Sequence, residues 1–373
     1  MRKISLTTVL LSCILVLAFV LRIYNISNNP PSVYGDEISF AWNAWSILHT
    51  AHDEYGEFMP MQFRAFGDYK SPIPVYLLVP FFKFLGMTAF SVRLPVVIFA
   101  TLTIISAYFL VFELFTHIHV AYKKHARTIA LLTALLLAIS PWHIHLSRGY
   151  FEATIALFLF VTGVYMGLRG LRETKWLYYS AIFFAATLYT YFTPRLMFIF
   201  FFPFVGMCFY SSLQKKKKSV FVAAALFVLL MIPLIKLALF DEGGHRLLWL
   251  VGDRMRKAIE ETTVILQTAG GPAWIRKLLH NRYDTFLTQI ANDYIEHFSF
   301  NFWYLFGDNS LRYFLGRMGM FYTVEMPFFL VGLYSLFRNA RKIAIFLIGW
   351  LLIAPITAAI VGRSFAVRSL EML

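Results

Sequence analysis

Apolar residues gather along this chain in runs long enough to be helices that cross a bilayer, and polar residues gather between them. Such a helix needs about 20 mostly apolar residues. Nine runs are candidates: 6–23, 91–115, 128–142, 152–168, 177–192, 196–213, 219–237, 322–337 and 343–361. The first follows Arg2 and Lys3 and has no small-x-small cleavage site after it, so it reads as a retained anchor. A further apolar stretch, Pro72 to Gly86, holds Pro72, Pro74, Pro80 and Lys83. Its 15 residues reach roughly 22 Å, short of the ~30 Å hydrocarbon core.

Composition agrees with the runs. The 373 residues are 59% hydrophobic, 18% aromatic and 14% charged, with a mean hydropathy of +0.65. Soluble proteins carry roughly 45–50% apolar and about 25% charged residues. Disorder, collagen and a disulfide scaffold are excluded. The 40 Phe and 20 Tyr suit lipid-facing helices with interfacial aromatic belts. Cys13 and Cys208 lie inside apolar runs and form no C-x-x-C spacing.

A net charge of +14 would suggest nucleic acid in a soluble protein. Here the cations cluster at Arg2/Lys3, Lys123/Lys124/Arg127, Arg169/Arg172/Lys175, Lys215–Lys218 and Arg338/Arg341/Lys342. The positive-inside rule puts all five on the cytoplasmic side, and no nucleic-acid partner is expected. That requires 72–86 to lie along the outer interface and nine spans to alternate. The N-terminus is then cytoplasmic, in a multi-pass protein of the cell membrane. Two large segments face outward, 24–90 and 238–321. The expected fold is all-α, a bundle of about nine spans with amphipathic juxtamembrane helices on its outer face. Lys215–Lys218 sets orientation and meets anionic lipid.

The first outer segment carries Asp36 and Glu37 just before an amphipathic stretch. Ile38, Ala41, Trp42, Trp45 and Leu48 share one helical face, and Ser39, Asn43, Ser46 and Thr50 the other. Asp36 is read in two ways: as the N-cap of that helix, or as a surface carboxylate that accepts a proton from an acceptor hydroxyl or amine.

Several stretches together resemble a known family. They are Gly35-Asp36-Glu37 with Ala41 and Ala44, His52–Gly56, Phe66–Pro72 and Ser91–Pro95. Later come Ser140–His143, Ser147-Arg148 to Glu152, Tyr189–Tyr191 to Arg195, and His297–Ser299 to Gly307-Asp308. Their order and spacing resemble the GT-C membrane glycosyltransferases of the glycosyltransferase 39 type: protein O-mannosyltransferases, aminoarabinose transferases and bacterial relatives. The resemblance implies one GT-C-like domain over 1–373, C-terminally short against family members. It also implies transfer of a sugar from a polyprenyl-phosphate donor to a protein, glycolipid or polysaccharide on the outer side, with inversion. Asp36 matches the family's essential carboxylate, with Glu37 beside it. No other cofactor is implied with certainty, although some relatives bind a divalent cation near the carrier phosphate.

Charge builds on a leaving phosphate, and fixed cations would stabilise it. Lys70, Arg93, Arg148 and Arg195 lie at the outer boundary against the orientation bias, and each is a candidate for the carrier phosphate. The alternatives are an anchor for Lys70 and Arg93, an ion pair with Glu152 for Arg148, and snorkelling for Arg195. His143, His145 and His297 could hold a metal only if they meet in space. In the second outer segment, Trp274, Leu278, Phe286, Leu287, Ile290 and Tyr294 recur at near-helical spacing and predict a helix from Ala273, as a brace or an acceptor-recognition element. Arg363 and Arg368 are expected on the outer face.

A transporter or flippase of lipid-linked sugars is the competing class. It predicts charges at mid-membrane depth and repeated halves. The spans hold almost no central ionisable residue and no repeat is visible, which favours an enzyme.

Overall fold

The computed structural model describes all residues other than 1–4, 119–121, 241–245, 269, 271, 273, 275, 277–280, 309, 311, 314, 317 and 363–364. Arg2, Lys3, Ala273, Leu278 and Arg363 therefore lie outside the described residues. The chain is helical almost throughout. In order come α1 (Leu6–Ile23), α2 (Gly35–Thr50), the strands β1 (Phe63–Ala65) and β2 (Asp68–Lys70), and α3 (Pro72–Leu85). They are followed by α4 (Ala89–Glu113), α5 (Ala126–Ile139), α6 (Pro141–Leu146), α7 (Glu152–Gly170), α8 (Lys175–Thr190), α9 (Pro194–Gln214), α10 (Lys217–Phe240) and α11 (Arg246–Thr268). Helices Arg282–Glu296, Met326–Asn339, Arg341–Ile353 and Ile356–Val361 complete the main elements.

Each of the nine apolar runs is mainly helical, with breaks at Ser140 and at 354–355. Among the described residues, six helices are long and apolar enough to cross a membrane: Leu6–Ile23, Ala89–Ile118, Glu152–Gly170, Pro194–Gln214, Lys217–Phe240 and Arg341–Val361. The helices at the other three runs, Ala126–Ile139, Lys175–Thr190 and Met326–Asn339, have 14, 16 and 14 residues. Length and apolarity together thus support six spans and leave the figure of nine open. The 72–86 stretch forms the 14-residue helix α3. Val75, Leu78 and Phe82 of α3 are buried, while Phe84 stays 80% exposed. Pro72 sits in its first turn, where the missing N–H costs nothing.

Segment 24–90 departs from the expected pattern in three ways. First, it contains an antiparallel β-hairpin with register Phe63↔Lys70, Arg64↔Tyr69 and Ala65↔Asp68. Phe66 and Gly67 form its two-residue turn, both with positive φ (50° and 74°). Such a turn matches the right-handed twist of paired strands. Alternation along the strands then sends Phe63, Ala65 and Lys70 inward. Second, α2 begins earlier than expected, at Gly35 with Tyr34 as N-cap. Third, its buried face is Phe40, Ala41, Ala44 and Ile47, with Ser39 and Asn43 also enclosed, whereas Ile38 and Trp42 are about half exposed. Tertiary contacts explain the shift. The α2 face packs in one cluster with Phe63, Val75, Leu78, Val92 and Tyr150, and Asn43 is drawn inward by reciprocal hydrogen bonds with Glu54.

Arg148 fixes how the end of α1 meets the rest of the bundle. It makes no ion pair with Glu152. Its terminal nitrogens donate to the carbonyls of Leu21, Arg22, Tyr24 and Asn29, groups that a helix end leaves without intrahelical partners. Arg22 repeats the device one helix over, donating to Leu137 O and Ala138 O at the end of α5. Replacing Arg148 by Met is expected to destabilise the protein by about 1–3 kcal/mol, the cost of unsatisfied acceptors. Denaturant unfolding in detergent reads this out, and an unchanged midpoint would refute the locking role.

Candidate active site

Asp36 is the second residue of α2, and its carboxylate turns away from the helix backbone. Oδ1 accepts from Lys70 Nζ at 2.7 Å and Oδ2 from an Arg312 terminal nitrogen at 2.5 Å. The N-cap reading of Asp36 therefore does not hold: Glu37, not Asp36, receives the Tyr34 backbone N–H, at 3.3 Å. The Asp36 side chain keeps 27% exposure, open to an incoming group. Burial pushes its carboxyl up, but Lys70 and then Arg312 outweigh that and hold it below the usual aspartate value.

Local structure places both cations. Lys70 ends β2 and points inward by strand alternation, 5.8 Å from the Phe40 ring centre. Its ammonium also reaches Asp68 at 3.7 Å. Arg312 comes from segment 238–321, where its guanidinium stacks on Tyr34 at 3.9 Å, with Tyr313 at 5.3 Å and Phe151 at 5.5 Å. Aromatic faces attract cations and limit their freedom. The turn carrying Arg312 is fixed by Asp308, whose carboxylate accepts from Ser310 N–H and Ala366 N–H, both at 2.8 Å. Gly307 precedes it at φ +67°, where a Cβ would lie 2.9 Å from Met318 O, so only glycine fits without strain.

Glu37 and Arg93 occupy each other. Arg93 Nε donates to Oε1 at 3.0 Å and a terminal nitrogen to Oε2 at 3.1 Å. The remaining Arg93 donors go to Ile26 O, Pro30 O and Ser32 O. Glu37 further accepts from the N–H of Tyr150 at 2.6 Å and of Tyr34. Both residues are fully buried. An arginine has five N–H donors and a carboxylate about four acceptor positions, and here all are used. The geometry thus redirects two candidates: Arg93 has no donor left for a phosphate, and Glu37 no lone pair left for a proton. They brace the loop before α2. Arg148, spent on carbonyls, also leaves the candidate phosphate set.

Arg195 stays with the site. It lines a narrow crevice together with Lys70, Tyr69, Gln62, Phe192 and Leu234. Its guanidinium donates to Leu188 O at 3.3 Å and lies 5.8 Å from the Phe192 ring centre. The crevice measures about 20 Å³, room for little more than one water molecule. Lys70 therefore joins the Asp36 carboxylate to a crevice that carries a second cation.

The three histidines do not assemble into a metal site. His143 Nδ1 meets Arg22 at 2.7 Å, His145 Nε2 the carbonyl of Arg312 at 3.4 Å, and His297 Nδ1 the carbonyl of Asp293 at 2.6 Å. Among the described residues, no group of three His, Cys, Asp or Glu side chains is placed to hold a metal.

Arg312 is the partner that sequence reasoning missed. The outer-side criterion that nominated Lys70 and Arg195 applies to it equally. However, segment 238–321 holds nine Lys and Arg residues, and nothing in the sequence ranks them. Within that segment Phe286, Leu287, Ile290 and Tyr294 of the expected helix lie in Arg282–Glu296, which Asn281 caps, while Ala273 and Leu278 lie outside the described residues; Arg254 of α11 links to this helix through Asp293 at 2.7 Å.

Comparison with known proteins bears on the whole arrangement. The family described as dolichyl-phosphate-mannose-protein mannosyltransferase matches residues 12–242, more than half of the chain. No curated protein sequence matches it. Among solved structures, ArnT from Cupriavidus metallidurans in the apo state superposes with a TM-score of 0.52 at 12% identity, over 98% of this chain and 57% of that one. The same protein bound to undecaprenyl phosphate gives 0.53 at 13%, over 98% and 58%. The Archaeoglobus fulgidus oligosaccharyltransferase in complex with Zn and sulfate gives 0.54 at 16%, over 97% and 48%. The chain spans between about half and three-fifths of the length of these structures. On the strength of the family match and of this shared helical architecture, the chain belongs to the dolichyl-phosphate-mannose-protein mannosyltransferase family and has the GT-C fold.

Proposed function

We propose that the protein transfers a sugar from a polyprenyl-phosphate donor to an acceptor hydroxyl or amine on the extracytoplasmic side of the membrane, with Asp36 as the proton acceptor. The acceptor atom attacks the anomeric carbon as Asp36 takes its proton. The bond from that carbon to the phosphate oxygen breaks, and the carrier leaves as a phosphate monoester. Lys70 and Arg195 meet the charge that grows on it. The single observation behind this reading is the position of Lys70, which bonds the partly open Asp36 carboxylate and also lines the crevice shared with Arg195. The family match and the undecaprenyl phosphate bound by ArnT are consistent with it.

The same geometry couples the two substrates. A phosphate drawn to Lys70 competes with Asp36 for the ammonium. Asp36 then loses part of what depresses its pKa and becomes a stronger base as the donor arrives. The narrow crevice must widen for this.

The test is transfer of labelled sugar in membranes from a panel of polyprenyl-phosphate donors. Lys70→Met is expected to raise the donor KM and lower kcat, whereas Arg93→Lys acts on folded yield. Transfer that depends on none of these donors would overturn the proposal. Reporters placed after Lys83 and after Lys124 test sidedness. The first is expected outside and the second in the cytoplasm, and the reverse would move the site to the wrong face.

A further inference from the structure

A cavity of about 430 Å³ lies among α7, α8, α9 and α10, away from Asp36. Its wall includes Gly167, Ala181, Gly206, Phe209, Ala224 and Phe346. The size falls within the roughly 300–1,000 Å³ usual for ligand sites. Small residues set back the wall: a Cβ built on Gly206 meets nothing within 4 Å. A break in α9 at Phe209 (φ −117°, ψ 17°) further separates the helices. Ser180 is the one lining residue with a side-chain polar group, and its hydroxyl is already committed to Gly163 O at 2.7 Å. Water would find no partner inside, and such cavities stay dry. Hydrocarbon would restore the missing van der Waals contacts.

The cavity belongs to one end of the bundle. Leu171 closes α7, Leu177 opens α8, Leu213 closes α9 and Val220 opens α10. The loops at that end carry Arg169, Arg172 and Lys175 on one side and Lys215–Lys218 on the other. Lys216 bridges the two loops by donating to Arg172 O at 2.6 Å. Glu113 and Glu173 pair with the first group. Lys215, Lys217 and Lys218 are exposed and have no acidic partner among the described residues. Lys342 lies 5.0 Å from the ring centre of Phe209, a residue of the cavity wall.

We propose that this cavity seats an acyl chain of an anionic glycerophospholipid, with its headgroup held by Lys215, Lys217, Lys218 and Lys342. Charge complementarity selects an anionic headgroup, since each Lys near a membrane surface favours acidic lipid. The donor's own polyprenyl chain is not the occupant proposed. The Lys70 crevice meets α10 at Leu234, Leu237 and Ala238, whereas this cavity meets it from Val220 to Phe227, at least about 10 Å away along the helix axis at 1.5 Å per residue.

The purified protein, equilibrated with mixed phosphatidylglycerol and phosphatidylcholine vesicles, is measured by native mass spectrometry for retained lipid. Wild type is expected to retain phosphatidylglycerol several-fold over phosphatidylcholine. A Lys215→Gln, Lys217→Gln, Lys218→Gln variant is expected to lose the preference. Gly206→Leu, which fills the open space and removes a helix-interior glycine, is expected to lose retention at undiminished melting temperature. Ala224→Leu is a second filling variant on another wall. Equal retention of the two lipids by wild type, retention undiminished in both filling variants, or displacement of phosphatidylglycerol by undecaprenyl phosphate would each overturn the proposal. None of these readouts depends on sugar transfer.

Discussion

Asp36→Asn is expected to slow sugar transfer by about 10²–10⁴-fold, the usual loss when a positioned general base is removed. The amide keeps the shape, but its single oxygen can accept from only one of Lys70 and Arg312, and its NH₂ faces the other. The hairpin pairing and the Asp308 bonds do not involve Asp36 and stay in place. It cannot take the acceptor's proton. The measurement is the single-turnover rate of label transfer in membranes holding equal amounts of folded protein. Transfer by the variant at the wild-type rate would remove Asp36 from the chemistry. A modest fall in melting temperature is also expected, because two cations lose their charged partner.

The pH dependence follows from the direction of the Asp36 shift. Its folded pKa lies below the unfolded value. Its contribution to stability is therefore complete above the ordinary aspartate range and is lost as pH falls through the depressed folded value. The acid limb of kcat/KM, which reports the free enzyme, follows the same group and should lie below the ordinary aspartate pKa. Arg312→Leu removes one of the two opposing charges, so that limb should move to higher pH. A limb that does not move would mean that another group governs it.

Glu37→Gln is expected to act on stability rather than chemistry, and strongly. It leaves the fully buried Arg93 guanidinium without a counter-charge, a change that typically costs about 3–5 kcal/mol. The amide also cannot accept from all four donors, because its NH₂ faces some of them. Thermal unfolding in detergent reads the loss, and transfer per folded molecule should remain near wild type. The double variant Glu37→Leu/Arg93→Met should be less destabilised than the sum of the single changes, since the stranded charge is gone. Recovery should be partial, because Ile26 O, Pro30 O, Ser32 O and the Tyr150 N–H lose their partners as well. Lost transfer with unchanged stability would instead make Glu37 the reacting carboxylate.

Adjacent acids illustrate how far the sequence could be read. Asp36 and Glu37 are neighbours in a loop-to-helix junction; the family resemblance singled out Asp36, but nothing in the two residues themselves divided their roles. One residue step along α2 separates them by about 100° in direction. That rotation sends Glu37 into the protein toward Arg93 and Tyr150, and Asp36 to the rim toward Lys70 and Arg312. Cations that the orientation rule sets apart were likewise recognisable as unusual, but their uses differ: Arg148 and Arg93 satisfy carbonyls, whereas Lys70 and Arg195 share a crevice. The amphipathic face of α2 was misread for the same reason. Helical spacing identifies a face, yet the burial of Phe40, Ala44 and Ile47 depends on where the hairpin, α3 and α4 come to lie.

What the sequence determined by itself is the membrane-embedded helical architecture and the two long polar segments between its helices. Transfer of a whole apolar run into hydrocarbon is a sum over neighbouring residues, so it is written locally. Tertiary structure alone decided the pairings: Asp36 with an arginine 276 positions away, the hairpin that turns Lys70 inward, and the saturation of Glu37 by donors from three separate places in the chain. Such contacts arise only when several elements pack at once, because each charged group takes whichever partner the completed fold leaves within hydrogen-bonding reach.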